Sequence, residues 1–91
     1  MVDDLASMQF MFVEKGSKHR LPEDFVSLQS VECFIKTDDP TPTVQTAKRF
    51  DAAGSVRKNE IYYDLWGQDL VFIEVPFEID QVQVIYHSSL P

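Results

Sequence analysis

Three runs near the C-terminal end, Glu60–Trp66, Asp69–Val75 and Gln81–His87, repeat their side-chain character every second residue and are separated by short breaks. A period of two belongs to a β-strand, whose successive side chains point to opposite faces. In the first run Ile61, Tyr63 and Leu65 alternate with Tyr62, Asp64 and Trp66. In the second, Val71, Ile73 and Val75 alternate with Leu70, Phe72 and Glu74. In the third, Val82, Val84 and Tyr86 alternate with Gln81, Gln83 and Ile85. Gly67-Gln68 between the first two predicts a tight type II′ hairpin, because glycine at the first central place accepts positive φ. Pro76 has no N–H for a ladder, so the second run ends there or lies at an edge. Ile79-Asp80 then turns the chain into the third run. Three adjacent runs with short connections predict an antiparallel meander.

The upstream part is more mixed. Residues 1–7 read as a frayed start or one helical turn, and Met8–Glu14 as a strand followed by a turn at Lys15-Gly16-Ser17-Lys18. Pro22 suits the first position of a helical turn, and Glu23 and Asp24 suit its positive end. Phe25 and Leu28 follow at helical spacing, so Pro22–Leu28 predicts about one and a half helical turns. Val31–Lys36 predicts a strand with Val31, Cys33 and Ile35 on one face. Two prolines and two aspartates make 37–43 a loop. Thr43–Ala53 stays open between helix and strand: Val44, Ala47, Phe50 and Ala53 recur at helical spacing, yet Val44, Thr46 and Lys48 also fit a strand. The fold expectation is one mostly β domain over residues 1–91. It is a small antiparallel sandwich or barrel with the C-terminal three-stranded meander and one or two short helical segments.

Ninety-one residues hide roughly 60–65% of the unfolded surface, which leaves a thin core. Seven Phe, three Tyr and one Trp compensate with large buried areas. The net charge is −7 and unevenly placed. Residues 1–59 carry nine acids and eight bases (−1), whereas residues 60–91 carry six acids and no Lys or Arg (−6). This balance argues against a phosphate backbone or an anionic membrane as partner. It reads either as a solubilising surface or as an acidic face that meets a basic partner. The single cysteine, Cys33, excludes an internal disulfide and fits a reducing compartment. No apolar run approaches the ~20 residues of a bilayer-spanning helix, and Asp3 and Asp4 stand where an export signal would be basic.

Reactive chemistry is weakly signalled. Cys33 lies mid-strand between Val31 and Ile35 and reads as a small core hydrophobe. His19 sits among Lys15, Lys18 and Arg20 and reads as a solvated turn residue; His87 ends the last run. Two lone histidines do not make a metal motif. The carboxylate pairs Asp3/Asp4, Glu23/Asp24 and Asp38/Asp39 are sequence neighbours, which on a strand point apart. The three glycines form no phosphate-cradling pattern. Lys48-Arg49-Phe50 and Arg57-Lys58 near Tyr62-Tyr63 interleave basic and aromatic residues as single-strand binders do, but the net charge of −7 weighs against that role. The expectation is a protein that is not an enzyme and needs no cofactor, metal or small-molecule substrate. Its candidate contact face is the hairpin set Tyr62, Trp66, Leu70 and Phe72 around Asp64 and Glu74. That set is either a second buried layer or an exposed patch for a protein partner.

Three stretches resemble adaptor proteins of tailed-phage necks. Leu21-Pro22-Glu23-Asp24-Phe25-Val26-Ser27-Leu28-Gln29-Ser30-Val31 is similar to their Leu-Pro-x-Asp-Phe-x-x-Leu-x-x-Val stretch. Ile61-Tyr62-Tyr63-Asp64-Leu65-Trp66-Gly67-Gln68-Asp69-Leu70-Val71-Phe72 resembles their Tyr-x-x-x-Gly-x-x-Leu hairpin. Val75-Pro76-Phe77, then Val82-Gln83-Val84-Ile85-Tyr86 and Leu90-Pro91, resembles their Pro, Val-x-Val-x-Tyr-Tyr, Leu-Pro ending. The likeness spans residues 20–91. It departs at His87, which replaces a second tyrosine, and in lacking the family's multi-helix segment. The resemblance implies a β-rich connector between portal and tail tube, in a virion assembled in the host cytoplasm. Its partners would be protein subunits, self or portal and tail proteins. The second reading is a free-standing acidic protein that blocks a basic, nucleic-acid-binding surface of a partner.

Overall fold

The computed structural model describes residues 4–11, 13–41, 43–51, 54 and 56–89. Among the described residues eight strands run in chain order: β1 (Asp4–Met11), β2 (Lys18–Arg20), β3 (Phe25–Ile35), β4 (Thr43–Thr46), β5 (Lys48–Arg49), β6 (Tyr62–Trp66), β7 (Asp69–Glu74) and β8 (Ile79–Ser88). They form two four-stranded sheets, β1-β8-β3-β4 and β2-β7-β6-β5. All pairings are antiparallel except β5 with β6, which is parallel. The mostly β expectation is met and the two sheets are compatible with a sandwich, but the expected short helical segments are not seen among the described residues.

The core lies between the sheets. Val31, Cys33, Val82 and Val84 come from the first sheet and Leu70 and Phe72 from the second, with Leu21, Ala47, Ile61 and Ile79 in the same cluster. Phe10 of β1 stacks on His19 of β2 at 4.3 Å between ring centroids and ties the two sheets together. The ring of His19 also meets the edge of Phe72 at 5.8 Å, and its Nε2 lies 3.2 Å from Ser17 Oγ. His19 is therefore a packed ring on a strand, not a solvated turn residue.

Further expectations are corrected. The first concerns the meander. β6 and β7 form the predicted hairpin, with Gly67 at φ 64 as a type II′ turn requires. β8, however, does not join them; it lies in the other sheet between β1 and β3. Val75-Pro76-Phe77 is the reason, since a residue without an N–H ends β7 and lets the chain cross to the opposite layer.

The second concerns Pro22–Leu28, which is not helical. Phe25 N–H donates to Pro22 C=O at 3.1 Å, closing a single turn, and β3 begins at Phe25. The spacing of three that looked helical comes from two β-bulges. Phe25, Leu28 and Val31 face Ser88, Tyr86 and Val84, so each bulge inserts one extra residue, Val26 or Gln29, both exposed. The turn is fastened to the end of β8 by Ser89 N–H to Asp24 C=O at 2.8 Å and Tyr86 Oη to Asp24 Oδ1 at 3.4 Å.

The third concerns 43–53, which holds no helix among its described residues. β4 adds to β3, then Ala47 passes between the layers and β5 adds to β6. Ala47 N–H bonds Val31 C=O in one sheet and Lys48 N–H bonds Ile61 C=O in the other, both at 2.8 Å. A strand that changes sheet must break its period of two, which is why Val44, Ala47 and Phe50 mimic a helix. At the N-terminal end, residues 4–7 belong to β1 and not to a frayed or helical start. Residues 1–3, Phe12, Ala53 and the Leu90-Pro91 ending lie outside the described residues.

The packing of His19 has a measurable consequence. Burial lowers its pKa below 6.5, so the unfolded chain binds the proton more readily than the folded one. The stability associated with the neutral ring is complete above the unfolded value and is lost as pH falls through 6.5 toward the lower folded value. The expected result is a melting temperature that declines from pH 7.5 to 5.5, with a flatter profile for His19→Phe. Thermal denaturation followed by circular dichroism across that window checks it.

Candidate functional site

The two-residue loop at Gly67-Gln68 fixes which side chains share a face. It pairs Trp66 with Asp69, Leu65 with Leu70, Asp64 with Val71 and Tyr63 with Phe72. Directly opposed residues in an antiparallel ladder lie on the same face. Leu70 and Phe72 therefore join Tyr63 and Leu65 on the core side, and both are fully buried. They are not part of an exposed patch with Tyr62 and Trp66. A bulge beyond Tyr63 brings Glu74 opposite Tyr62, so Glu74 does share the outer face.

Two polar clusters occupy that outer face. The first surrounds Tyr62, which is itself buried. Its hydroxyl accepts from Arg57 N–H at 3.0 Å and donates to Glu60 Oε2 at 2.8 Å. Glu60 Oε1 receives Lys48 Nζ at 2.8 Å. Lys48, then Tyr62, hold the Glu60 carboxyl below the usual carboxylate range. A hollow of about 570 Å³ lies alongside, lined by Val56, Arg57, Asn59, Glu60, Glu74 and Pro76 among others.

The second cluster is built on Asp64 and Trp66. Asp64 Oδ1 accepts Leu65 N–H at 2.8 Å and Arg49 Nε at 3.4 Å, and Oδ2 accepts Trp66 Nε1–H at 3.0 Å. The Leu65 N–H first, then Trp66 and Arg49, lower the Asp64 pKa. Lys18 of β2 places its Nζ 5.5 Å from the Trp66 ring centroid, within cation–π range. Trp66 is thus fixed at its indole nitrogen and flanked by a cation, yet it remains 51% exposed.

Of the sequence-derived set, Trp66 is open, Asp64 and Glu74 are half-buried and bonded, Tyr62 is covered, and Leu70 and Phe72 are core. Lys18 and Arg49, which complete the face, were not anticipated. They arrive from strands 15 or more residues away in sequence, and no local pattern signals them. Elsewhere, Cys33 is fully buried and its thiol is pushed up to about 12 by burial, with Glu32 adding to the rise, so it stays protonated. His87 Nε2 meets Gln29 Oε1 at 3.0 Å. Among the described residues no group of three or more His, Cys, Asp or Glu is arranged to hold a metal ion.

The acids of the C-terminal third are largely offset by bases from the first two thirds. Glu60 pairs with Lys48, Asp64 with Arg49, Glu74 with Lys15 at 3.0 Å and Glu78 with Lys36 at 3.6 Å. No protein-family model, no curated protein and no solved structure matches the chain.

Proposed function

We propose that this chain is a structural protein–protein interaction module of a phage neck or tail, a connector component that meets neighbouring virion subunits through the outer face of β6 and β7. The observation that carries the reading is Trp66: a large aromatic ring held in one orientation by Asp64 and Lys18 and still half open to solvent. Tryptophan is among the side chains enriched at interface hot spots, and covering a ring already held in place gains much area at little entropic cost. The virion assignment rests on the order and spacing of the neck-adaptor-like stretches.

The acidic-decoy reading has less behind it. Its motivation was the −6 of residues 60–91, and four of those six acids lie within 4.0 Å of a lysine or arginine. Much of the apparent acidic face is therefore local ion pairing.

Trp66 is the sole tryptophan, so its fluorescence reports on this face. Portal or tail-tube assemblies of the phage whose genes flank this one are expected to co-sediment the chain and shift Trp66 emission to the blue. Trp66→Ala is expected to weaken that co-sedimentation at least tenfold, about 1.4 kcal/mol or more, with unchanged circular dichroism. A chain that never joins such particles, or a Trp66→Ala variant that joins them equally well, would overturn the proposal.

A further inference from the structure

We propose that β1 is a self-association edge, at which two copies of the chain pair their Asp4–Met11 strands antiparallel about Met8 and join two four-stranded sheets into one of eight strands. Among the described residues β1 pairs only with β8 and ends its sheet. The β1–β8 ladder runs from Asp4↔Ser88 to Met11↔Gln81 without a bulge, so the free edge is long and regular. Protein sheets normally blunt such an edge with lysine, proline, a bulge or a covering segment. Residues 5–11 (Leu-Ala-Ser-Met-Gln-Phe-Met) contain no lysine, no proline and no charge. Leu5 and Met11, at either end, are each 61% exposed.

The occupant follows from symmetry. In a two-fold pairing about an axis normal to the sheet, each strand keeps its outer face on the same side, and residue i faces j while j faces i. Centred on Met8, this sets Leu5 against Met11 and Ser7 against Gln9 on the exposed face. Ala6 meets Phe10, and Met8 meets its own copy, on the other face. Along the exposed face the order is apolar, polar, polar, apolar, which reads the same in both directions. Leu5 and Met11 then cover each other, and Ser7 and Gln9 each carry both donor and acceptor. A chain of net charge −7 repels its own copy over most of its surface, and the uncharged run of β1 is where two copies can approach without like charges meeting. The contact is narrow, at the low end of interface sizes, so it is concentration-dependent. It uses a different sheet from the Trp66 face and stands without the connector reading.

Sedimentation velocity over a concentration series tests the association, and cysteine cross-linking tests the register. The expected result is a monomer–dimer equilibrium that Ser7→Lys weakens at least tenfold and Trp66→Ala leaves unchanged. Under mild oxidation, a mixture of Ser7→Cys chains with Gln9→Cys chains is expected to form a covalent dimer. Either variant alone is expected to form little, because Ser7 faces Gln9 and neither faces itself; wild type, with Cys33 buried, controls for the native thiol. A monomer at every concentration overturns the proposal, as does a dimer indifferent to Ser7→Lys. Single-variant cross-linking as efficient as the mixture overturns the register.

Discussion

Phe72→Ala is expected to remove about 3–5 kcal/mol of stability, the typical cost of emptying a well-packed phenylalanine site. Phe72 is the largest fully buried side chain among the described residues. It meets His19 from one side and stands opposite Tyr63 across the hairpin. Its backbone is pinned as well, with N–H to Ser17 C=O at 3.1 Å and C=O from Gly16 N–H at 2.8 Å, so the neighbouring strands cannot close over the hole. A chain of 91 residues has roughly 5–14 kcal/mol in total, and the change takes a large share of it. A melting temperature lower by roughly 15–30 °C is the expected reading. Phe72→Leu keeps most of the volume and is expected to cost about 1 kcal/mol. Urea and thermal denaturation distinguish this from the exposed-patch alternative that the sequence left open for Phe72. A surface Phe72 would lose less than about 0.5 kcal/mol on truncation.

The single face given to Tyr62, Trp66, Leu70 and Phe72 shows how much was legible. Both strands of the hairpin and its turn follow from period two and Gly67. The loop length also implied the pairing: two residues between Trp66 and Asp69 force opposed positions to have opposite parity. Tyr62 and Trp66 therefore never shared a face with Leu70 and Phe72, and applying the turn rule to the strands would have shown it. β3 was harder. Two bulges turned a strand pattern into the spacing of three shared by Phe25, Leu28 and Val31, and a bulge is visible only once the partner strand is known. Thr43–Ala53 fitted a helix as well as a strand for a related reason, because Ala47 marks a change of sheet and not the next turn of a helix. Lys18 and Arg49 reach Trp66 and Asp64 through tertiary contact alone. What sequence patterns carry here is local period; what they lack is which strand lies beside which.

The position of β8 supplies the second large effect, because a proline reports on both neighbours of a strand. In a central strand successive N–H groups point alternately to the two adjacent strands, so proline anywhere breaks a ladder bond and leaves a carbonyl without its donor. In an edge strand every second N–H points to solvent, and proline is tolerated there. Gln83 is paired with Gln9 on one side and Glu32 on the other, and Val84 with Met8 and Val31. Gln83→Pro and Val84→Pro are therefore both expected to lose about 3 kcal/mol or more beyond their alanine counterparts, from the lost bond, the orphaned carbonyl and the restricted preceding residue. Gln83→Ala, which removes only an outward side chain, is expected to change stability by about 0.5 kcal/mol or less. A meander would place β8 at the outside of β6 and β7, and one of the two prolines would then be nearly silent. Chemical denaturation of the four variants decides the matter: two damaging prolines put β8 between β1 and β3, and one silent proline would return it to an edge.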